Sequence, residues 1–119
     1  MQVISKKEYA LVDCLEEVSV NYLNHARGIE GLSSLLKRLI LQLNEIDQTF
    51  QDSLFDLWGI IEIEYATMLS ENRIELSKLE KKIVNDTVNE MINLCNEIKK
   101  NYKCEEEDPL SWPYPDSAW

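Results

Sequence analysis

Apolar residues recur every three or four positions from residue 32 to residue 69, and no proline occurs before residue 109. Spacing of this kind places apolar side chains along one face of an α-helix, and proline is the residue that would interrupt it. No segment of useful length alternates between apolar and polar residues, so we expect an all-α fold without strands. The apolar stripe consists of Leu32, Leu36, Leu39, Leu43, Ile46, Phe50, Leu54, Leu57, Ile61, Tyr65 and Met68.

The length of this stripe predicts a break within it. A single helix over residues 32–69 would be roughly 57 Å long, which is too long for a compact domain of this size. We therefore expect a break near residues 44–49, with Asp47 as the N-cap of the following helix. Because no glycine or proline enforces the break, one long helix covered by a second chain is the alternative.

Two capping-box patterns indicate further helix starts. Ser5 and Glu8 have the spacing in which each side chain accepts a bond from the other residue's backbone N–H, and Ser77 and Glu80 repeat it. Gly28, with Gly31, is expected to end the first helix. The prediction is an antiparallel bundle of about four helices in residues 1–103, with helices at about 5–27, 32–46, 48–69 and 77–103.

Residues 104–119 differ from the rest of the chain. They contain all three prolines, five acidic residues and three large aromatic residues, among them Trp112. The segment cannot be helical beyond Pro109, and large aromatic surfaces seldom stay in solvent. We expect an extended acidic C-terminal arm that packs on its own bundle or reaches a partner.

Acidic residues are placed unevenly in this chain of formal net charge −10. Residues 39–72 contain seven acids and no Lys or Arg, and residues 104–119 contain no basic residue either. Such an imbalance favours a basic protein partner. It disfavours nucleic acid, because phosphate binding with counterion release requires a basic face.

The residues that most catalytic sites require are missing from this sequence. His25 is the only histidine, and Cys14, Cys95 and Cys104 are scattered, while none of the three glycines forms a phosphate-binding loop. We therefore expect no catalytic, cofactor or metal site, and no enzyme. Unpaired scattered cysteines favour a reducing compartment. With no signal-peptide pattern and no apolar run of about 20 residues, the expectation is a cytoplasmic protein without a membrane segment.

Helical projection at 100° per residue separates two faces of the segment after Phe50. Glu64 lies at the edge of the apolar stripe and is expected to pair with a Lys or Arg of a neighbouring helix; a carboxylate-bound metal is the weaker alternative. Opposite the stripe, two isoleucines stand beside two acids, which is typical of a docking face with an apolar centre and an acidic rim. The candidate partner-binding residues are Asp52, Asp56, Ile60, Ile63, Glu45, Asp47, Glu105, Glu106, Glu107, Asp108 and Trp112.

In size, acidity and helicity the chain resembles the bacterial immunity proteins of contact-dependent and polymorphic toxin systems. Its most distinctive run is DSLFDLWGIIEIEY at residues 52–65. The resemblance implies a non-enzymatic antitoxin that neutralises a basic toxin such as a nuclease, with carboxylates that mimic phosphates or plug the active site. The alternative is a self-assembling or adaptor bundle, in which the stripe of residues 32–68 mates with a second copy and a two-fold axis buries Ile60 and Ile63.

Overall fold

The computed structural model describes residues 2–105. Each helix packs against two others, because the first and third helices both lie between the second and the fourth. Short connections join consecutive helices, which makes neighbours antiparallel in an up-and-down order. The predicted all-α bundle of four helices is confirmed. The helices are α1 (Lys6–Leu23), α2 (Ile29–Gln42), α3 (Gln48–Ser70) and α4 (Lys78–Asn101).

The core lies along the axis of the bundle and takes residues from all four helices. The side chains with no exposed surface include Leu15 of α1, Leu36 of α2, Ile61 of α3 and Met91 of α4. Cys95 also lies in this core, where burial raises the pKa of its thiol to about 12. Removal of this apolar surface from water is the main force that holds the four helices together.

The apolar stripe of residues 32–69 does break, and the alternative of one long helix is wrong. Helix α2 ends at Gln42, and α3 begins at Gln48 with Asp47 at its N-cap position. The Asp47 side chain forms no capping bond; instead its backbone N–H donates to the Tyr102 hydroxyl at 2.8 Å. The two halves of the stripe thus face each other across one core.

Glu8 holds this break in place. Its side chain is buried, and its carboxylate accepts hydrogen bonds from the backbone N–H groups of Asn44 at 3.0 Å, Glu45 at 2.8 Å and Ile46 at 3.3 Å. Three backbone donors in a loop without glycine or proline are thereby satisfied by one charged acceptor.

The first predicted capping box is only half formed. The Ser5 hydroxyl accepts from the Glu8 backbone N–H at 3.1 Å, as predicted. The Glu8 carboxylate does not return the bond, since it is directed at the loop; Glu45 instead accepts from the Ser5 backbone N–H at 2.8 Å. In contrast, the box of Ser77 and Glu80 is complete.

Helix α1 ends at Leu23, four residues before the predicted end. His25 takes the left-handed conformation with a φ of 62°, and its N–H donates to the Tyr22 carbonyl at 3.0 Å. This ending needs no glycine, so Gly28 is free to serve as the N-cap of α2, which starts at Ile29 rather than residue 32.

The expectation that strands are absent is wrong. Strand β1 (Gln2–Ile4) pairs in parallel with β2 (Tyr102–Cys104), with Ile4 opposite Cys104. A strand of three residues is too short to show the alternation of apolar and polar residues that identifies a strand in a sequence. The two strands also lie at opposite ends of the described chain, so no local sequence pattern indicates that they pair. Helix α4 therefore ends at Asn101 rather than at residue 103. The predicted arm of residues 104–119 begins within β2, at Cys104, and its residues from 106 onward lie outside the described residues.

Candidate functional site

A groove of about 390 Å³ runs between α3 and α4, and we refer to it as the α3–α4 groove. On α4 its residues are spaced i, i+3, i+4 and i+7, so they form one stripe along that helix. The described residues that line the groove and carry charge are all acidic, while two leucines supply apolar surface. The lining residues are Ser53, Asp56 and Leu57 of α3, and Glu90, Asn93, Leu94 and Glu97 of α4.

The predicted docking residues of α3 lie on its outer surface. Asp52 and Asp56 are exposed, and Asp56 lines the groove. Ile60 is 40% exposed and Ile63 is 64% exposed, one and two turns beyond Asp56. Neither isoleucine lines the groove, but both add exposed apolar surface on α3 beyond Asp56.

Gly59 lies between these residues in the middle of α3. A Cβ atom at this position would meet no atom of the protein within 4 Å. Glycine inside a helix is destabilising relative to alanine, and no contact in the bundle requires it here. A bare backbone at this point is suited to the close approach of another molecule.

The other predicted residues lie elsewhere. Glu45 is exposed, but its carboxylate is held by Ser5, whose hydroxyl and backbone hydrogen bonds lower its pKa. Asp47 lies in the same loop, and Glu105 follows β2, where its N–H donates to the Ile4 carbonyl at 2.8 Å. None of these three residues lines the groove. Glu106, Glu107, Asp108 and Trp112 lie outside the described residues.

The opposite side of α3 has a structural role. The Trp58 indole donates to the Ser33 carbonyl of α2 at 2.9 Å, and the Lys37 ammonium lies 5.5 Å from the centre of its ring. Glu62 accepts a hydrogen bond from the Ser33 hydroxyl. The predicted ion pair of Glu64 with a Lys or Arg is absent among residues 2–105.

The nearby lysine of α4 does not neutralise the groove. Lys99 is directed at α1, where it pairs with Asp13 and with Glu16, at 2.8 Å from the latter. Partial burial acts to lower its pKa, but the hydrogen bonds that Lys99 donates to both carboxylates, with their negative charge, outweigh this and raise it. The side chains of Asp56, Glu90 and Glu97 form no ion pair with residues 2–105.

Sequence reasoning missed Glu90 and Glu97, because only the packing of α4 on α3 brings them beside Asp56. The signal that could have indicated them is the stripe at residues 90, 93, 94 and 97, on the side of α4 away from α1. Within residues 2–105, no three His, Cys, Asp or Glu side chains are grouped closely enough to hold a metal ion. In the same range, no helix combines the length and the apolar character needed to cross a bilayer.

No protein-family model, curated protein or solved structure matches this chain. The chemistry of the groove and of the outer face of α3 is therefore the basis for inferring a function.

Proposed function

We propose that this protein is a non-enzymatic inhibitor that binds a basic protein through the α3–α4 groove and the adjoining surface of Ile60 and Ile63. One observation carries the proposal: three carboxylates and two leucines line one groove, and the described lining contains no basic residue. Interfaces of this kind combine an apolar centre with complementary charge at the rim.

The two kinds of residue have different tasks in this proposal. The carboxylates of Asp56, Glu90 and Glu97 attract a basic partner over a distance and then accept hydrogen bonds from its Arg or Lys side chains. Ile60 and Ile63 supply the apolar area whose burial slows dissociation. Because opposite charges steer the encounter, association is fast at low salt and slower at high salt.

The particular inhibitor that we propose is the immunity protein of a basic toxin such as a nuclease, acting in the cytoplasm. A nuclease has a basic surface that holds nucleic-acid phosphates. A row of carboxylates along one groove offers that surface a protein ligand in place of the phosphates. The net negative charge of the bundle supports this proposal. So does the outer face of α3, where Ile60 and Ile63 are exposed rather than buried against another helix.

A homodimeric adaptor is the second candidate, and the structure favours it less. Its proposed interface, the stripe of residues 32–68, is occupied within one bundle, where Leu32, Leu54 and Ile61 have no exposed surface. A dimer through the α3–α4 groove would bring the carboxylates of two copies together, which like-charge repulsion opposes.

Co-expression with the product of the adjacent gene tests the immunity proposal. We expect that product to be a basic toxin, that this protein restores growth when both are produced, and that the purified pair associates more slowly as salt increases. Light scattering of the protein alone should give the mass of a monomer. A stable homodimer, or growth that is not restored, would contradict the proposal.

A further inference from the structure

A second cavity lies at the other end of the bundle, between the α1–α2 turn and the α3–α4 connection. Its volume is about 500 Å³. Apolar surface comes from Tyr22, Met68 and Ile74, and the last of these is 94% exposed. We refer to this cavity as the turn cavity; it shares no lining residue with the α3–α4 groove.

The turn cavity is basic in a protein that is otherwise acidic. Arg27, Lys81 and His25 line it, and Glu75 is the acidic residue among its described lining. Three other cations of the described chain form ion pairs within it: Arg73 with Glu80, Lys82 with Asp86, and Lys99 with Glu16. The side chains of Arg27 and Lys81 form no hydrogen bond or ion pair with residues 2–105.

Arg27 is held in place by α2. A Cβ atom on Gly31 would lie 3.2 Å from the Arg27 Cγ and 3.4 Å from its Nη1, so this glycine makes room for the arginine side chain. The Nε atom of Arg27 is buried, and no acceptor for its N–H exists in the described part of the chain. A guanidinium is always charged and needs acceptors for its donors, so the acceptor for this N–H has to come from outside the described residues.

We propose that the turn cavity binds a small organic anion, in which a carboxylate or phosphate group is attached to a compact apolar body. The Arg27 guanidinium presents two parallel N–H donors to the oxygens of such a group, and the Lys81 ammonium adds a second positive charge. The apolar body packs against Tyr22 and Met68 and covers Ile74. The proposal does not depend on the proposed function, since it concerns another surface.

Binding of defined probes to the full chain tests this site by amide chemical-shift titration. The probes are phenyl phosphate, benzoate, inorganic phosphate and the uncharged benzyl alcohol. We expect saturable shifts around residues 25–31 and 74–81 with phenyl phosphate or benzoate, and at least tenfold weaker binding of benzyl alcohol. The stronger of the two aromatic anions identifies the group as phosphate or carboxylate, and inorganic phosphate shows how much the apolar body adds.

Three variants connect the binding to Arg27. Arg27→Gln should weaken the preferred anion at least tenfold, and Gly31→Ala should weaken it without a change of charge, because its methyl group displaces the Arg27 side chain. Lys78→Gln makes the same charge change on α4 outside the cavity lining and should alter binding less than twofold. The proposal is overturned if no anion produces saturable shifts, if benzyl alcohol binds as well as the anions, or if Arg27→Gln and Lys78→Gln behave alike.

Discussion

The Glu8 carboxylate accepts a hydrogen bond from the backbone N–H of Glu45 at 2.8 Å, and the Glu45 carboxylate accepts one from the backbone N–H of Ser5 at 2.8 Å. The start of α1 and the loop between α2 and α3 thus cap each other. This exchange joins segments that are 37 and 40 residues apart in the chain. It fixes the direction in which α3, with its docking residues, leaves the loop.

Replacing Glu8 by alanine should therefore weaken the whole fold. The change leaves buried backbone donors of the loop without an acceptor, and we expect the free energy of unfolding to fall by about 2–3 kcal/mol. The free energy of unfolding is measured by urea denaturation, and we expect its dependence on urea concentration to be the same in both proteins. Glu17→Ala, on the exposed side of the same helix, is the control and should be almost neutral. A loss of less than about 0.5 kcal/mol for Glu8→Ala would show that the exchange has no stabilising role.

The pair of Arg73 and Glu80 should make the free energy of unfolding depend on pH in the acidic range. The hydrogen bonds that Glu80 accepts, first from Arg73 and then from the Ser77 backbone, lower its pKa from 4.5 to about 2. Because this pKa is lower in the folded state, the carboxylate stabilises the fold above pH 4.5, and the contribution is lost as pH falls towards 2. Denaturation from pH 6 to 2 should show the stabilities of the native protein and Glu80→Gln converging. Parallel curves would contradict this account.

Gly59→Ala should stabilise the isolated protein. The new methyl group meets nothing within 4 Å, and alanine in a helix interior is favoured over glycine by about 0.5–1 kcal/mol. The control is Gly28→Ala, which also has open space but sits at an N-cap, where alanine is the poorer residue. If Gly59 admits the partner closely, the stabilised variant binds the partner more weakly. Destabilisation by Gly59→Ala would refute the steric argument.

Ile63→Ser should separate binding from folding. Ile63 is 64% exposed, so we expect its loss to change the free energy of unfolding by less than about 0.5 kcal/mol. In contrast, dissociation of the partner complex should become about tenfold faster, since an apolar contact of the proposed interface is removed. Leu41→Ser on α2, where Leu41 is 60% exposed, is the matched control. Equal dissociation rates for the two variants would place the interface elsewhere.

Local signals in the sequence predicted much of this structure. The helical period, the capping box at Ser77 and the break before Asp47 each depend on neighbours in the chain, so they could be identified without tertiary information. The outer positions of Asp56 and Ile63 followed from the same projection. All of these features can be predicted from the residues of one helix and its ends, without knowing which other helices it contacts.

Features that depend on contacts between distant segments could not be predicted in this way. The backbone donors that Glu8 binds lie in the loop between α2 and α3. Strand β1 pairs with a strand at the far end of the described chain. Glu90 and Glu97 join Asp56 only because α4 packs on one side of α3. The end of α1 differs from the prediction for a local reason, since His25 takes the left-handed conformation for which glycine is the usual choice.

The rate of association with the basic partner tests the central claim most directly. Asp56→Lys combined with Glu97→Lys reverses the charge on both sides of the α3–α4 groove, and Glu17→Lys combined with Glu30→Lys makes the same change in net charge away from it. At low salt, stopped-flow mixing should show association slowed at least about tenfold by the first pair and much less by the second. If both pairs slow association equally, or neither does, the groove is not the docking site.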